Sequence, residues 1–181
     1  RATWRRQGQE YSFAELEELA AAATPFKALV DPNCEDFAAP GDMPARIQAF
    51  CERTGQPIPA TPGEVVRCAA ESLAMRYRQS IEQLEAITGK CIKRLHLVGG
   101  GSRDVLLNQF AANAIRRPVI TGPVEATAIG NILGQAVAVG AVDSLESARE
   151  LVARSFETTE YEPRDTAAWD AAYQRFLKLA P

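Results

Sequence analysis

Leu95-His96-Leu97-Val98-Gly99-Gly100-Gly101-Ser102-Arg103-Asp104 is the stretch on which the reading of this chain turns. A short apolar run stops at three glycines, a polar pair follows, and a helical pattern opens at Val105. That order predicts strand, tight turn and helix. Glycines let a ligand come close to the backbone, because no Cβ stands in the way. A helix starting just after such a turn aims its unpaired N–H groups at whatever lies there, which favours an anion. The spacing does not fit the dinucleotide fingerprint, whose third glycine falls where this chain has Asp104. Nor is there a phosphate-loop lysine followed by Ser or Thr. From the turn alone, a plain strand-to-helix connection and a nucleotide cradle are equally good readings.

Outward from the turn, the strand is expected over Lys93 to Val98. The helix is expected from Arg103 to Arg116, with Val105, Leu106, Phe110 and Ile115 facing inward. Arg117 to Thr121 reads as a second short strand, Gly122-Pro123 as its turn, and Glu125 to Val139 as a helix of small residues suited to close packing. Residues 93–139 thus form a βαβα core, and ligands bind at the carboxyl ends of such parallel strands. Glu125 is expected to bond the amides of its own turn.

The remainder is helix-rich. Ser12 or Tyr11 caps a helix from Phe13 to Ala23, and Asp42-Met43-Pro44 opens another that Gly55 stops. Thr61 and Glu64 have the capping-box spacing for a long central helix over Pro62 to Thr88, closed by Gly89. Ser144 caps a helix to about Arg154, and a last one covers Asp165 to Leu179, with Phe156 to Pro163 between them extended or irregular. Residues 25–62 read as an irregular, Pro-rich excursion in which Lys27-Ala28-Leu29-Val30 has the pattern of a short strand. The fold class is helix-rich α/β. A two-stranded sheet is marginal alone. The expectation is therefore a single domain over residues 1–181 whose first strands lie elsewhere in a longer protein. The opening Arg1 to Gly8, with no initial Met, reads as the tail of a helix already under way.

Composition excludes several classes. The chain is 46% apolar, enough for a real core, and its formal net charge of −3 gives no basic footprint for nucleic acid. Its apolar runs are too short to span a membrane, and no signal-peptide pattern is present. Four cysteines make no disulfide scaffold in a chain this size, which points to a reducing cytoplasm. Cys51 and Cys68 flank the Pro-rich linker, so a disulfide between their helices and two free thiols are both open, the compartment favouring thiols. No Cys-x-x-Cys or second histidine accompanies His96, so a packed or sheet-bound role suits it better than a metal or base role.

Taken together, Val98-Gly-Gly-Gly-Ser-Arg-Asp-Val-Leu-Leu-Asn-Gln-Phe-Ala-Ala-Asn113 and Arg117-Pro-Val-Ile-Thr-Gly-Pro-Val-Glu-Ala-Thr-Ala-Ile-Gly-Asn131 resemble the C-terminal domain of the FGGY carbohydrate kinases. Gly122 to Asn131 is the discriminating part. Asp31-Pro32-Asn33, Gly41-Asp42-Met43-Pro44 and Cys51 to Pro59 extend the resemblance over nearly the whole chain, toward the branch that acts on L-rhamnulose. The resemblance implies the C-terminal part of an actin-like (ribonuclease-H-like) sugar kinase ATPase domain. It also implies a cleft separating this part from an N-terminal domain that holds most of the sugar contacts. It implies ATP as a ligand, with Mg2+ bound mainly through the nucleotide, and transfer of the γ-phosphoryl group to the sugar's 1-hydroxyl. Gly99, Gly100, Gly101 and Ser102 would meet the adenosine and α-phosphate region, Gly100 foremost. Asn131 would reach the adenine pocket or simply pack its helix. The family more often has Asn where this chain has Asp104, and Asp where it has Asn113; a carboxylate at Asp104 would repel a polyphosphate unless it faced the ribose hydroxyls. The catalytic aspartate, the main sugar contacts and the phosphate-clasping loops lie upstream of Arg1, so no catalytic residue is assigned in this chain, which alone should be inactive. Two alternatives stay open: another sugar kinase of the family, of the xylulose, gluconate or glycerol type, or a non-catalytic actin-like nucleotide-binding regulator.

Overall fold

Side-chain caps mark where five of the helices of this chain begin. The computed structural model describes residues 2–6 and 8–180; Arg1 and Gln7, from the opening stretch expected to be a helix tail, and Pro181 lie outside the described residues. In chain order the elements are α1 (Ala2–Arg6), α2 (Phe13–Ala22), a 3-10 turn (Glu35–Phe37), α3 (Met43–Arg53), α4 (Pro62–Thr88), β1 (Leu95–Leu97), a second 3-10 turn (Gly100–Arg103), α5 (Val105–Ile115), β2 (Val119–Thr121), α6 (Ala126–Ala138), α7 (Leu145–Ser155), β3 (Glu160–Tyr161) and α8 (Thr166–Phe176). Ser12 with Glu15, and Thr61 with Glu64, form the reciprocal bonds of a capping box. Asp42 caps α3 through Ala45 N, and Ser144 caps α7 through Ser147 N. Gly89 closes α4 in the left-handed region at φ 65°.

The 27-residue α4 is the spine of the domain. Its first half is buried on several faces, as its multi-sided apolar pattern predicts. Ala70, Ala74 and Met75 join Leu29, Phe110, Trp169 and Phe176 in one apolar cluster. Val65 and Cys68 join Trp4, Leu16, Ile47 and Phe50 in a second. Farther along, Ile81 packs with Ala111, Ile115 and Val119, so the same helix ties the small sheet to the rest. Where the helix passes beyond its neighbours, Leu84 and Ile87 are exposed.

The sheet runs β1–β2–β3. β1 and β2 are parallel, with Leu95 opposite Val119 and Leu97 opposite Thr121, and α5 is the crossover between them. β3 adds antiparallel to β2, Tyr161 opposite Val119, in the stretch expected to be extended or irregular. Four expectations are corrected. Lys27–Val30 is not a strand: its buried backbone bonds side chains instead, Leu29 N to Gln56 Oε1 at 2.9 Å and Val30 N to Ser72 Oγ at 2.9 Å, so no ladder partner is required. Val105 faces solvent, because as the first residue of α5 it precedes the turn that packs on α4. Small-residue α6 does not pack closely: none of its residues is buried, and Glu125 makes no side-chain bond to its start.

Candidate functional site

The two glycine turns meet at the carboxyl ends of β1 and β2. Gly99 N donates to Pro123 O at 3.0 Å, and Gly122 N donates to Leu97 O at 2.8 Å, so each turn braces the other. Gly99 sits at φ 81°, where a side chain would be strained. A Cβ on Gly122 would lie 2.8 Å from Val98 Cγ1. The fold itself therefore explains these two glycines. It does not explain Gly100 and Gly101: neither has a positive φ, and a Cβ on either would meet nothing within 4 Å. Their bare backbone faces open space. Behind it, Ser102 Oγ and N both donate to Gly99 O, at 2.7 and 3.1 Å, and Asn108 Nδ2 donates to Ser102 O at 2.9 Å.

The start of α5 is not the open anion cradle that the strand–turn–helix order suggests. Leu106 N donates to Glu17 Oε1 of α2 at 2.6 Å, and Leu107 N donates to Asp104 Oδ1 at 2.9 Å. Two carboxylates of the chain already satisfy amides of that helix end, and their charge opposes a phosphate there. Asp104 is thus the N-cap of α5. It also acts on Tyr77 of α4, whose hydroxyl is pushed above its ordinary range by burial, the Asp104 charge adding to the effect.

Beside the turn lies a cavity of about 710 Å³. Gly100, Gly101, Arg103 and Asp104 form one wall, and Glu17 and Leu106 stand at its corner. The facing walls are Trp4 of α1, Phe13 and Leu16 of α2, Met43, Pro44 and Ile47 of α3, and Val65, Val66, Ala69 and Ala70 of α4. This size suits a small-molecule site, and a mostly apolar lining with a few polar groups at one end suits a flat, uncharged ring system more than a polyphosphate. Of the residues singled out in the sequence, Gly100, Gly101 and Asp104 line the cavity, whereas Gly99 and Ser102 shape the turn from outside it. Asn131 is exposed on α6, where its Oδ1 accepts from Gln135 Nε2 at 2.8 Å, and it is not part of the cavity wall. Sequence reasoning missed Glu17 and Asn108, which no motif marks. Among the described residues, Arg103 brings the one cationic side chain of the wall.

Cys51 and Cys68 are free thiols in the α3–α4 interface, both buried in the same cluster. The Cys68 thiol's hydrogen bond holds Cys51 below its ordinary range, while the same contact and burial push Cys68 up. His96 is exposed on β1. Among the described residues no group of His, Cys, Asp and Glu is arranged to hold a metal ion, and no helix is long and apolar enough to cross a membrane.

A family model described as "FGGY family of carbohydrate kinases, C-terminal domain" matches residues 1–139. A rhamnulokinase of Bacteroides thetaiotaomicron is 50% identical over 165 residues, covering 91% of this chain and 34% of that protein. A rhamnulokinase of Halalkalibacterium halodurans is 42% identical over 161 residues, covering 89% of this chain and 34% of that protein. Among solved structures, a xylulose kinase from Rhodospirillum rubrum superposes with a TM-score of 0.65 at 22% identity, over 92% of this chain and 33% of that one. The chain thus spans about a third of the length of the curated relatives it matches. Its helix-rich α/β arrangement is that of the C-terminal, actin-like part of these kinases. On the match over residues 1–139 and on identities of 42–50% along most of its length, the chain belongs to the FGGY family of carbohydrate kinases, within the family's C-terminal domain.

Proposed function

We propose that this chain is the ATP-binding C-terminal portion of a sugar kinase that transfers the γ-phosphoryl group of ATP to the 1-hydroxyl of L-rhamnulose. The observation that carries the nucleotide reading is the pair Gly100 and Gly101: bare backbone, required by neither φ nor packing, forming a wall of the cavity. A ligand that approaches the backbone closely is the remaining reason for glycine at both. Because Glu17 and Asp104 occupy the start of α5, the base and ribose belong beside Gly100 and the apolar wall, and the phosphates lead away from α5 toward the sugar. Mg2+ would travel with those phosphates and neutralise their charge. Phosphoryl transfer rests on such positioning and neutralisation. The residue that takes the sugar's proton belongs to the remaining part of the protein, so the chain alone is inactive. The sugar follows from the relatives, named as rhamnulokinases at 37–50% identity.

The test is a phosphorylation assay of the full-length protein with MgATP against L-rhamnulose, xylulose, gluconate and glycerol. Preferred turnover of L-rhamnulose supports the reading. Preference for another of the four reassigns the substrate, and ATP binding without turnover of any marks a non-catalytic nucleotide-binding protein. The site itself is tested by Gly100→Val, whose side chain fills the approach to the turn. Calorimetry on the full-length protein should then detect no ATP binding while sugar binding persists; unchanged ATP affinity would remove this turn from the site.

A further inference from the structure

We propose that Asn108 is a positioning residue for the nucleotide, acting through the backbone of the glycine turn; the inference rests on the nucleotide reading above. Asn108 lies on α5 at 0% exposure. It never reaches the cavity wall. What it touches is the back of the turn: its Nδ2 donates to Ser102 O at 2.9 Å, and Ser102 Oγ in turn donates to Gly99 O at 2.7 Å. These two bonds bracket Gly100 and Gly101, which no side chain among the described residues holds directly. Glycine backbone is the most mobile of all, and a site that recognises a ligand by bare backbone needs that backbone held from behind.

The other half of the same amide argues that this is why asparagine stands here. Asn108 Oδ1 is buried and has no hydrogen-bond partner, alone in this respect among the described residues. A buried acceptor without a donor destabilises a fold, and an apolar side chain of similar size would avoid the loss. Turning the amide over does not help, because it would set Oδ1 against the Ser102 carbonyl. Stability alone would therefore favour leucine at this position, while the turn requires the Nδ2 donor. Ser102 is only part-buried, so water can solvate its carbonyl when that donor is removed, which lets the turn move while the helix stays packed.

The experiment uses full-length protein in three forms, Asn108→Leu, Asn108→Asp and Gly100→Val, each measured for melting temperature, ATP KM, sugar KM and kcat. The loss of one hydrogen bond that orders the turn is expected to raise the ATP KM by about three- to tenfold in Asn108→Leu. Its sugar KM and kcat should stay within about twofold of the parent, with the melting temperature equal or higher. Asn108→Asp, which keeps the size but sets an oxygen against Ser102 O, should raise the ATP KM at least as much. It serves as the deciding variant if leucine does not fold. An ATP KM unchanged in the folded Asn108 variants, or a melting temperature that falls while the ATP KM stays put, overturns the positioning role. If Gly100→Val also leaves ATP binding intact, the nucleotide reading of the turn fails instead, and the two failures are told apart.

Discussion

At the scale of single residues, the glycines of one turn divide into two kinds. Gly99 and Gly122 are required by the protein, one by its positive φ and one by the nearness of Val98. Among the described residues neither φ nor packing requires glycine at Gly100 and Gly101, and that makes them the informative pair. Asp104 sits between the kinds. Its carboxylate is engaged with Leu107 N, so it supports the helix, and its negative charge opposes a phosphate there. Asp104→Ala should cost about 1 kcal/mol of stability through the lost cap. Asp104→Asn should restore most of it, and both should leave ATP affinity within about twofold. Thermal melts with calorimetry check this. A tenfold change in affinity without a change in melting temperature would make Asp104 a ligand contact.

At the scale of elements, polar groups buried along α4 join helices that hydrophobic packing alone would leave free to slide. Arg67 donates Nη1 to the carbonyls of Ala20, Ala21 and Ala23, closing the C-terminus of α2. Its Nε donates to Glu71 Oε1 at 2.7 Å, and its guanidinium lies over the Phe110 ring of α5. Glu71, 1% exposed at its side chain, also accepts from Phe26 N. Arg67→Met strands that carboxylate and should cost about 3–5 kcal/mol. The double variant with Glu71→Leu should recover part of the loss, and equal instability of the two would remove the stranded charge as the cause. A second tie, at the far end of α4, gives a pH dependence. Glu85 accepts from Arg117 Nη1 and Nη2 at 2.9 and 3.0 Å and from Ile92 N, fastening α4 to the entries of β1 and β2. The Arg117 guanidinium holds the Glu85 carboxyl below its ordinary 4.5. A lowered value means that the folded form resists protonation, so this contribution is present above pH 4.5 and is lost as the pH falls through the lowered value. Glu85→Gln should flatten the acid side of the stability profile in melts taken from pH 7 downward; an unchanged slope would show that Glu85 does not carry it.

At the scale of the whole molecule, the chain joins the proposed nucleotide site to an uncovered helix. α6 is rich in apolar residues, yet none of its residues is buried; Ile132 is 66% exposed, and Val139, just past its end, is 79% exposed. Exposed apolar patches of this kind bind apolar dyes and partners. The chain expressed by itself should therefore bind an environment-sensitive dye such as ANS, and Ile132→Glu should reduce the signal. Dye fluorescence indifferent to that substitution would place the sticky surface elsewhere.

How far the sequence reaches differs with the range of the interactions involved. Ser12, Asp42, Thr61, Gly89 and Ser144 announce helix ends because capping is settled within four residues, and each cap is where its motif puts it. The β1–turn–α5–β2 unit was legible for the same reason, since periodicity and glycine are local signals. Lys27–Val30 was not, because its backbone partners, Gln56 and Ser72, lie 27 and 42 residues away. Nor was the closure of α5's first turn by Glu17, 89 residues distant. The sequence by itself determined that a glycine turn stands between a strand and a helix. Only the tertiary structure decided which of its glycines are free, which helix amides are already taken, and that an apolar cavity lies alongside. Those outcomes depend on side chains brought together across the chain, and no local pattern records such meetings.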